Sequence, residues 1–336
     1  MSTRFLLFAS AFLLLPGMST ATVLRANYFG YGAAHVGANA LVSAVAAAAA
    51  GDTIHIEAAT GVYNTAIVDL PLVIIGPGYF LNENTALQAS PLAATLAGIQ
   101  FTGGAAGSRL MGVVVNGGVS LGADNVTVER CRIGLVFFPN WAAGGDPPLF
   151  NQAVVQCYIT AGQGVGTIAG NPSAVNNLLI SNCYFAGTLT LLAQFQGTIS
   201  HCVINNGASV HGVEFHNNIV RGGTTVQNSN TGITMHHNIF HDDPGAWLTG
   251  GSNHVLQDMA LIFGTGPTTD LALQPLGTCA NCAAGYNGQQ IGMFGGATPY
   301  RASGIPAIPA IYELNAPATA VQGEVINVTL STRSND

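Results

Sequence analysis

Six segments in the middle of the chain share one pattern: VERCRI (128–133), VVQCYI (154–159), ISNCYF (180–185), ISHCVI (199–204), FHNNIV (215–220) and MHHNIF (235–240). Each reads apolar-x-x-(Cys or Asn)-x-apolar. The fourth positions are Cys131, Cys157, Cys183, Cys202, Asn218 and Asn238, spaced by 26, 26, 19, 16 and 20 residues. Self-similarity at such a period marks stacked repeats. Physically each segment is a short strand, a tight bend and a second short strand. Inward side chains of one repeat then lie on those of the next, about 4.8 Å away. Asn suits the bend because it tolerates left-handed backbone and its amide can bond along a ladder. Cys is small and buries easily in the same inward slot.

A third short strand follows several bends, at Val119–Leu121, Thr188–Leu191 and Thr224–Val226. Three strands per repeat make a triangular coil. The reading is therefore an all-β chain: a right-handed, single-stranded parallel β-helix, the hand being that of nearly all parallel crossovers. Upstream, Asn39–Ala50 is rich in good helix formers. A helix there would cover the first coil, whose free strand edges otherwise invite aggregation.

The opening GDTIHI (51–56), then Gly61-Val62-Tyr63, then LVIIGPG (72–78) resembles the first coil of the pectin-lyase-like β-helix superfamily. The Ile-x-x-Asn-x-Phe repeats are similar to its later rungs, and the likeness covers roughly residues 35 to 250. PYRASGIPAIPAIYEL (299–314) and INVTLS (326–331) resemble the tails of secreted β-helix proteins of Bacteroidota-type bacteria. The resemblance implies a fold and leaves activity open, because that superfamily holds lyases, hydrolases, esterases and adhesins.

Arg4, the largely apolar Phe5–Leu15 and the small-x-small Ser19-Thr20-Ala21 read as a signal peptide over 1–21. Eleven residues are too few to span a bilayer, which needs about 20. The expected organisation is a signal peptide (1–21), a β-helix with an N-terminal cap (22–250), and a Gly/Pro-rich C-terminal cap with a final strand (251–336). The expected location is secreted, extracellular or at the cell surface. Only 7% of residues are charged, against about 25% in ordinary soluble domains. The polar surface must therefore come from Asn, Ser, Thr, Gln and Gly. All eight basic residues are Arg, and the net charge of −7 becomes −8 once Arg4 leaves with the signal peptide. Such a surface is a poor match for phosphate backbones, which excludes a nucleic-acid partner. It has no polybasic stretch for an anionic membrane either.

Imidazoles and carboxylates converge between residues 201 and 243. His216 and His236 stand at the same position of adjacent repeats, and with His241 they form a candidate divalent-metal set, for Ca or Zn. Arg221, His236, Asp242 and Asp243 are candidate catalytic residues: Arg221 as a lyase base, the two Asp as a hydrolase pair. Stacked polar side chains on an outer face explain the same pattern without chemistry. Two aromatic-rich loops offer ring faces beside carboxylates, which suit sugars: Phe138, Trp141 and Asp146 in one, Trp247 in the other. Cys131, Cys157, Cys183 and Cys202 read as a buried column of thiols. Cys279-Ala-Asn-Cys282 reads as a local disulfide, a free pair or, with less support, half a metal knuckle. The function these features predict is an extracellular glycan-binding or scaffold protein. The alternative is a polysaccharide lyase or glycoside hydrolase working near residues 214–243.

Overall fold

Alternation of side chains decides where each strand lies. Ile54, Ile74, Leu110, Val128, Val154, Ile180, Ile199, Phe215 and Met235 are fully buried and stack as one inward column through parallel, in-register pairing. Across the core, Leu96, Val115, Ile133, Ile159, Phe185, Ile204, Val220 and Phe240 form a second column, also buried. Each such side chain contributes about 1.5–3 kcal/mol by leaving water.

The computed structural model describes residues 21–30, 32–139, 147–161, 166–167, 174–191, 195–223, 234–245 and 251–335. Apart from Ala21, the expected signal peptide lies outside them. The described chain is mostly β, with two long parallel sheets of twelve strands each. The chain passes from the first sheet to the second across each bend, as from Thr127–Glu129 to Arg132–Phe138. In the first, Val23–Asn27 and His35–Val36 stand at one end and Thr234–His236 at the other. The second runs from Val62–Tyr63 to Ile239–Phe240. The expected third strand is present at Val119–Leu121, as the end of the longer strand Val114–Leu121. It also appears as Leu189–Thr190, paired with Ala208–Ser209. Residues 224–226 lie outside the described residues. The single α-helix described, Ala40–Ala47, is shorter than the expected Asn39–Ala50, and it buries Ala40, Leu41, Ala44 and Val45 against the first strands.

The bends differ from expectation by one residue. Left-handed backbone falls on Arg130, Gln156, Asn182, His201, Asn217 and His237, at φ of 51–57°. Each stands immediately before the Cys or Asn of the repeat. The reason is geometric: the Cys or Asn must point into the core, so the residue ahead of it turns the chain and points outward. Left-handed backbone costs an L-residue other than Gly, Asn or Asp roughly 1–2 kcal/mol, which Arg, Gln and His bear here.

The C-terminal segment also departs from the expected closing cap. Residues 252–257 lie on the last rung, where His254 N–H donates to Asn238 O and Phe240 N–H to His254 O. The chain then turns back and runs along the bends, opposite to the direction of stacking. Its stations are regular. Tyr286 N–H donates to Asn217 Oδ1 at 2.7 Å. Asn182 Nδ2 donates to Met293 O and Gly295 O, and Gln156 Nε2 to Thr298 O and Pro299 O. Arg130 Nη1 donates to Ile305 O, and Tyr79 N–H to Ser303 O. The outward bend side chains thus grip a strap. Its underside (Ile291, Met293, Tyr300) shares one buried apolar cluster with Tyr79 and the outward residues Val203, Ile219 and Ile239. Gly304, at φ 53°, allows the close approach: a Cβ there would meet the Tyr79 ring at 2.2 Å. Beyond the strap, Ala310–Asn315 pairs antiparallel with Thr329–Arg333, so the final strand begins later than the INVTLS pattern suggested.

Candidate functional site

Two places bring chemistry-bearing side chains together, one on the outer side of the second sheet and one where strands of the first sheet reach the bends. The first grows from the repeat itself. The residue after Cys157 and Cys183 is Tyr, and in a strand that position faces outward. Tyr158 and Tyr184 are register partners, and their rings lie 4.6 Å apart, tilted by 40°. Phe80 meets Tyr158 edge-on at 5.1 Å, and Arg132 lies over Phe80. Further along, Arg221 sets its guanidinium 4.8 Å above the Phe263 ring. Tyr158, Tyr184, Arg221, Met259, Phe263 and Thr269 are among the residues lining an open hollow of about 490 Å³. Burial pushes the Tyr158 hydroxyl up to about 12 and raises that of Tyr184. Both remain protonated donors.

The second is a histidine cluster beneath the strap. His216 and His236 occupy successive rungs and their rings stack in parallel, 5.1 Å apart. His236 Nε2 is 3.2 Å from Glu214 Oε1 and its Nδ1 is 2.9 Å from His237 Nδ1. Tyr286 of the strap meets all three rings at 4.8–5.6 Å. His201 is buried, bonded through Nε2 to Asn217 Nδ2, and lies against Gly296. Burial, then the neighbouring His216, pushes its pKa down to about 4. Burial also lowers His216 and His237. These imidazoles are neutral near pH 7.

Placed in this frame, the expected site residues separate. His241 follows the strand Ile239–Phe240, on the far side of the bend from His216 and His236, and its Nδ1 faces Gln257 O at 3.2 Å. Four residues of bend and strand separate it from His236. Among the described residues no group of three or more His, Cys, Asp or Glu is arranged to hold a metal ion. Arg221 occupies the same repeat position as His241, one rung earlier, and lies against an aromatic ring. Asp242 is half-buried, 4.0 Å from His241 Nε2. Asp243 Oδ1 accepts the Gly245 N–H at 2.8 Å, closing a local turn. His236 bonds with Glu214 rather than with either Asp.

Phe138 requires correction. Its strand, Arg132–Phe138, continues past Gly134 instead of opening into a loop, and alternation turns Phe138 inward. The side chain is fully buried and packs edge-on against Phe195 at 5.1 Å, so it offers no face to a ligand. Trp141, Asp146 and Trp247 lie outside the described residues. Tyr158 and Tyr184 were not among the expected residues, although two tyrosines at one outward position of adjacent repeats were the available signal. Glu214 and Tyr286 complete the histidine cluster. Comparison of the chain with protein-family models, with curated proteins and with solved structures finds no match.

Proposed function

We propose that this chain is a right-handed parallel β-helix of the pectin-lyase-like kind, exported by residues 1–21, that binds glycan outside the cell or at its surface. In-register parallel pairing through successive short repeats supports the fold. No helix among the described residues is long and apolar enough to cross a membrane. The observation that carries the function is the Tyr158–Tyr184 pair opening into the hollow beside Arg221. A sugar's C–H face stacks on an aromatic ring, while its hydroxyls take hydrogen bonds from phenols and guanidinium. The two rings lie on neighbouring rungs about 4.8 Å apart. Tyr184 is 8% exposed and Tyr158 partly buried, so a polysaccharide lying in the hollow meets Tyr158 and the Arg221 side chain, with Tyr184 backing them.

The test is calorimetric titration of the mature protein with a panel of neutral and acidic polysaccharides. Replacing both Tyr158 and Tyr184 by Ala is expected to weaken binding at least about tenfold, or ~1.4 kcal/mol. Binding that survives the double substitution unchanged sinks the site, and silence across the panel sinks the function. The same incubations, followed for unsaturated and reducing ends, test the enzymatic alternative. Cleavage lost in Glu214→Gln or His236→Ala would replace the binding reading with a lyase or hydrolase.

A further inference from the structure

The Cys279–Cys282 pair belongs to neither site. The two sulfurs are joined in a disulfide that spans only three residues of sequence. Structural bridges stabilise most when they close long loops, and a loop this short gains least. The two cysteines are also unequal. Cys282 is 3% exposed and belongs to the apolar cluster under the strap, whereas Cys279 is only partly buried. The Cys282 N–H points at Cys279 Sγ, at 3.3 Å. An amide donor there stabilises negative charge on that sulfur once the bridge opens. Both cysteines line a hollow of about 380 Å³, open to solvent and walled partly by Pro275, Leu276 and Ala283.

We propose that Cys279–Cys282 is a thiol–disulfide exchange site, acting through Cys279 on a dithiol of a polypeptide partner seated in that hollow. The partner's first thiolate attacks Cys279 Sγ, the more accessible sulfur. A bond forms between that sulfur and the partner, the bond to Cys282 breaks, and Cys282 leaves as thiolate and takes up a proton. The partner's second thiolate then attacks its own sulfur in the mixed disulfide and expels Cys279 as thiolate, held by the Cys282 N–H. The partner leaves oxidised by two electrons and this chain is reduced by two. In reverse, the Cys279 thiolate attacks a partner disulfide, so Cys279 carries the mixed disulfide in both directions. The hollow's apolar walls suit side chains flanking the partner's cysteine.

The molecule supplies its own control. Cys131, Cys157, Cys183 and Cys202 are free but buried, and burial holds the first three thiols well above their ordinary pKa. In the folded protein they should stay unmodified. The experiment incubates the native full chain with reduced glutathione and, separately, with a cysteine-containing peptide dithiol, then alkylates and maps each cysteine by mass. The expected result is opening of Cys279–Cys282 while the four core thiols remain unlabelled. In Cys282→Ser, glutathione disulfide is expected to load Cys279 at least about tenfold faster than it loads Cys282 in Cys279→Ser, because accessibility and thiolate character govern the rate. Unlabelled core thiols show that each variant is folded. A bridge that opens only together with the core thiols overturns the proposal, as does equal loading of the two single-cysteine variants.

Discussion

The inward slot after each bend is filled in two ways, and the two halves of that column are held by different forces. From Cys131 to Cys202 the slot holds thiols, each donating weakly to the carbonyl two residues before it, as Cys183 Sγ does to Ser181 O at 3.2 Å. From Asn218 onward it holds amides. Asn218 Oδ1 accepts the Cys202 N–H, Asn238 Oδ1 accepts the Asn218 N–H, and Asn253 Oδ1 accepts the Asn238 N–H. Their Nδ2 groups donate to Ile199 O, Phe215 O and Met235 O. An amide serves the rung before it and the strand across the bend at once. A thiol reaches the same two partners more weakly, as when Cys183 Sγ accepts the Cys157 N–H at 3.4 Å and lies 3.3 Å from Val154 O, so register in the Cys half rests more on packing and on the strap.

The largest expected effect breaks the amide half. Asn218→Leu keeps the volume roughly and orphans Cys202 N–H, Ile199 O and part of Asn238. It should cost about 4 kcal/mol by urea denaturation, since buried groups left unpaired cost about 1–3 kcal/mol each.

Acid comes next and divides the strap in the same way. Arg130, Gln156 and Asn182 grip residues 293–305 of the strap without titrating in the accessible range, whereas His201 lies beneath Gln289 and Gly296. His201 titrates near 4 in the folded chain, and at its ordinary value near 6.5 when unfolded. Between those values the unfolded state binds more protons. Stability is therefore intact above about 6.5, falls as pH drops, and has lost its full share below about 4, roughly 2–3 kcal/mol. Hydrogen exchange should show the amides of Tyr286 and Gly292 opening before that of Gly304. His201→Gln should flatten the profile.

Cys183→Ala should cost less, about 1–2 kcal/mol, because it loses contact area and only weak bonds, to Cys157 N–H, Val154 O and Ser181 O. If it costs as much as Asn218→Leu, the contrast between the halves is wrong. The smallest effect belongs to the exposed second bend, where Asn151 Nδ2 donates to Asn125 Oδ1 and Asn177 Nδ2 to Asn151 Oδ1. Asn151→Gly there, which keeps the left-handed backbone (φ 59°) without strain, should change stability by no more than about 0.5 kcal/mol, since water replaces the lost partners.

Strand positions and both inward columns were legible because period-two alternation survives in every repeat. The left-handed residue was not, because Arg130, Gln156 and His201 are poor advertisements for such backbone. They stand there for what their outward ends reach, and those partners lie about 90 to 175 residues away. The strap itself has almost no periodicity to read: its contacts are main-chain carbonyls offered to side chains elsewhere. For the candidate site, the histidine stack followed from repeat spacing. His241 failed to join it because equal chemistry at unequal repeat positions lands on different sides of a bend. Phe138 misled because residues 135–150 read as one long loop after the bend, whereas alternation carries the strand Arg132–Phe138 through its first four residues.

The strap also sets a clock. Stacked rungs touch only neighbours and can assemble progressively, in nearest-neighbour steps. The contact between Tyr79 and Tyr300 spans 221 residues, and that between Asn84 and Ser303 spans 219. Contacts of such long range slow folding because the chain must close a very large loop before they form. During synthesis the rungs are complete while the apolar stripe of Val203, Ile219 and Ile239 still waits for its cover. That stripe stays partly open to other chains until residues 291–300 of the strap reach it.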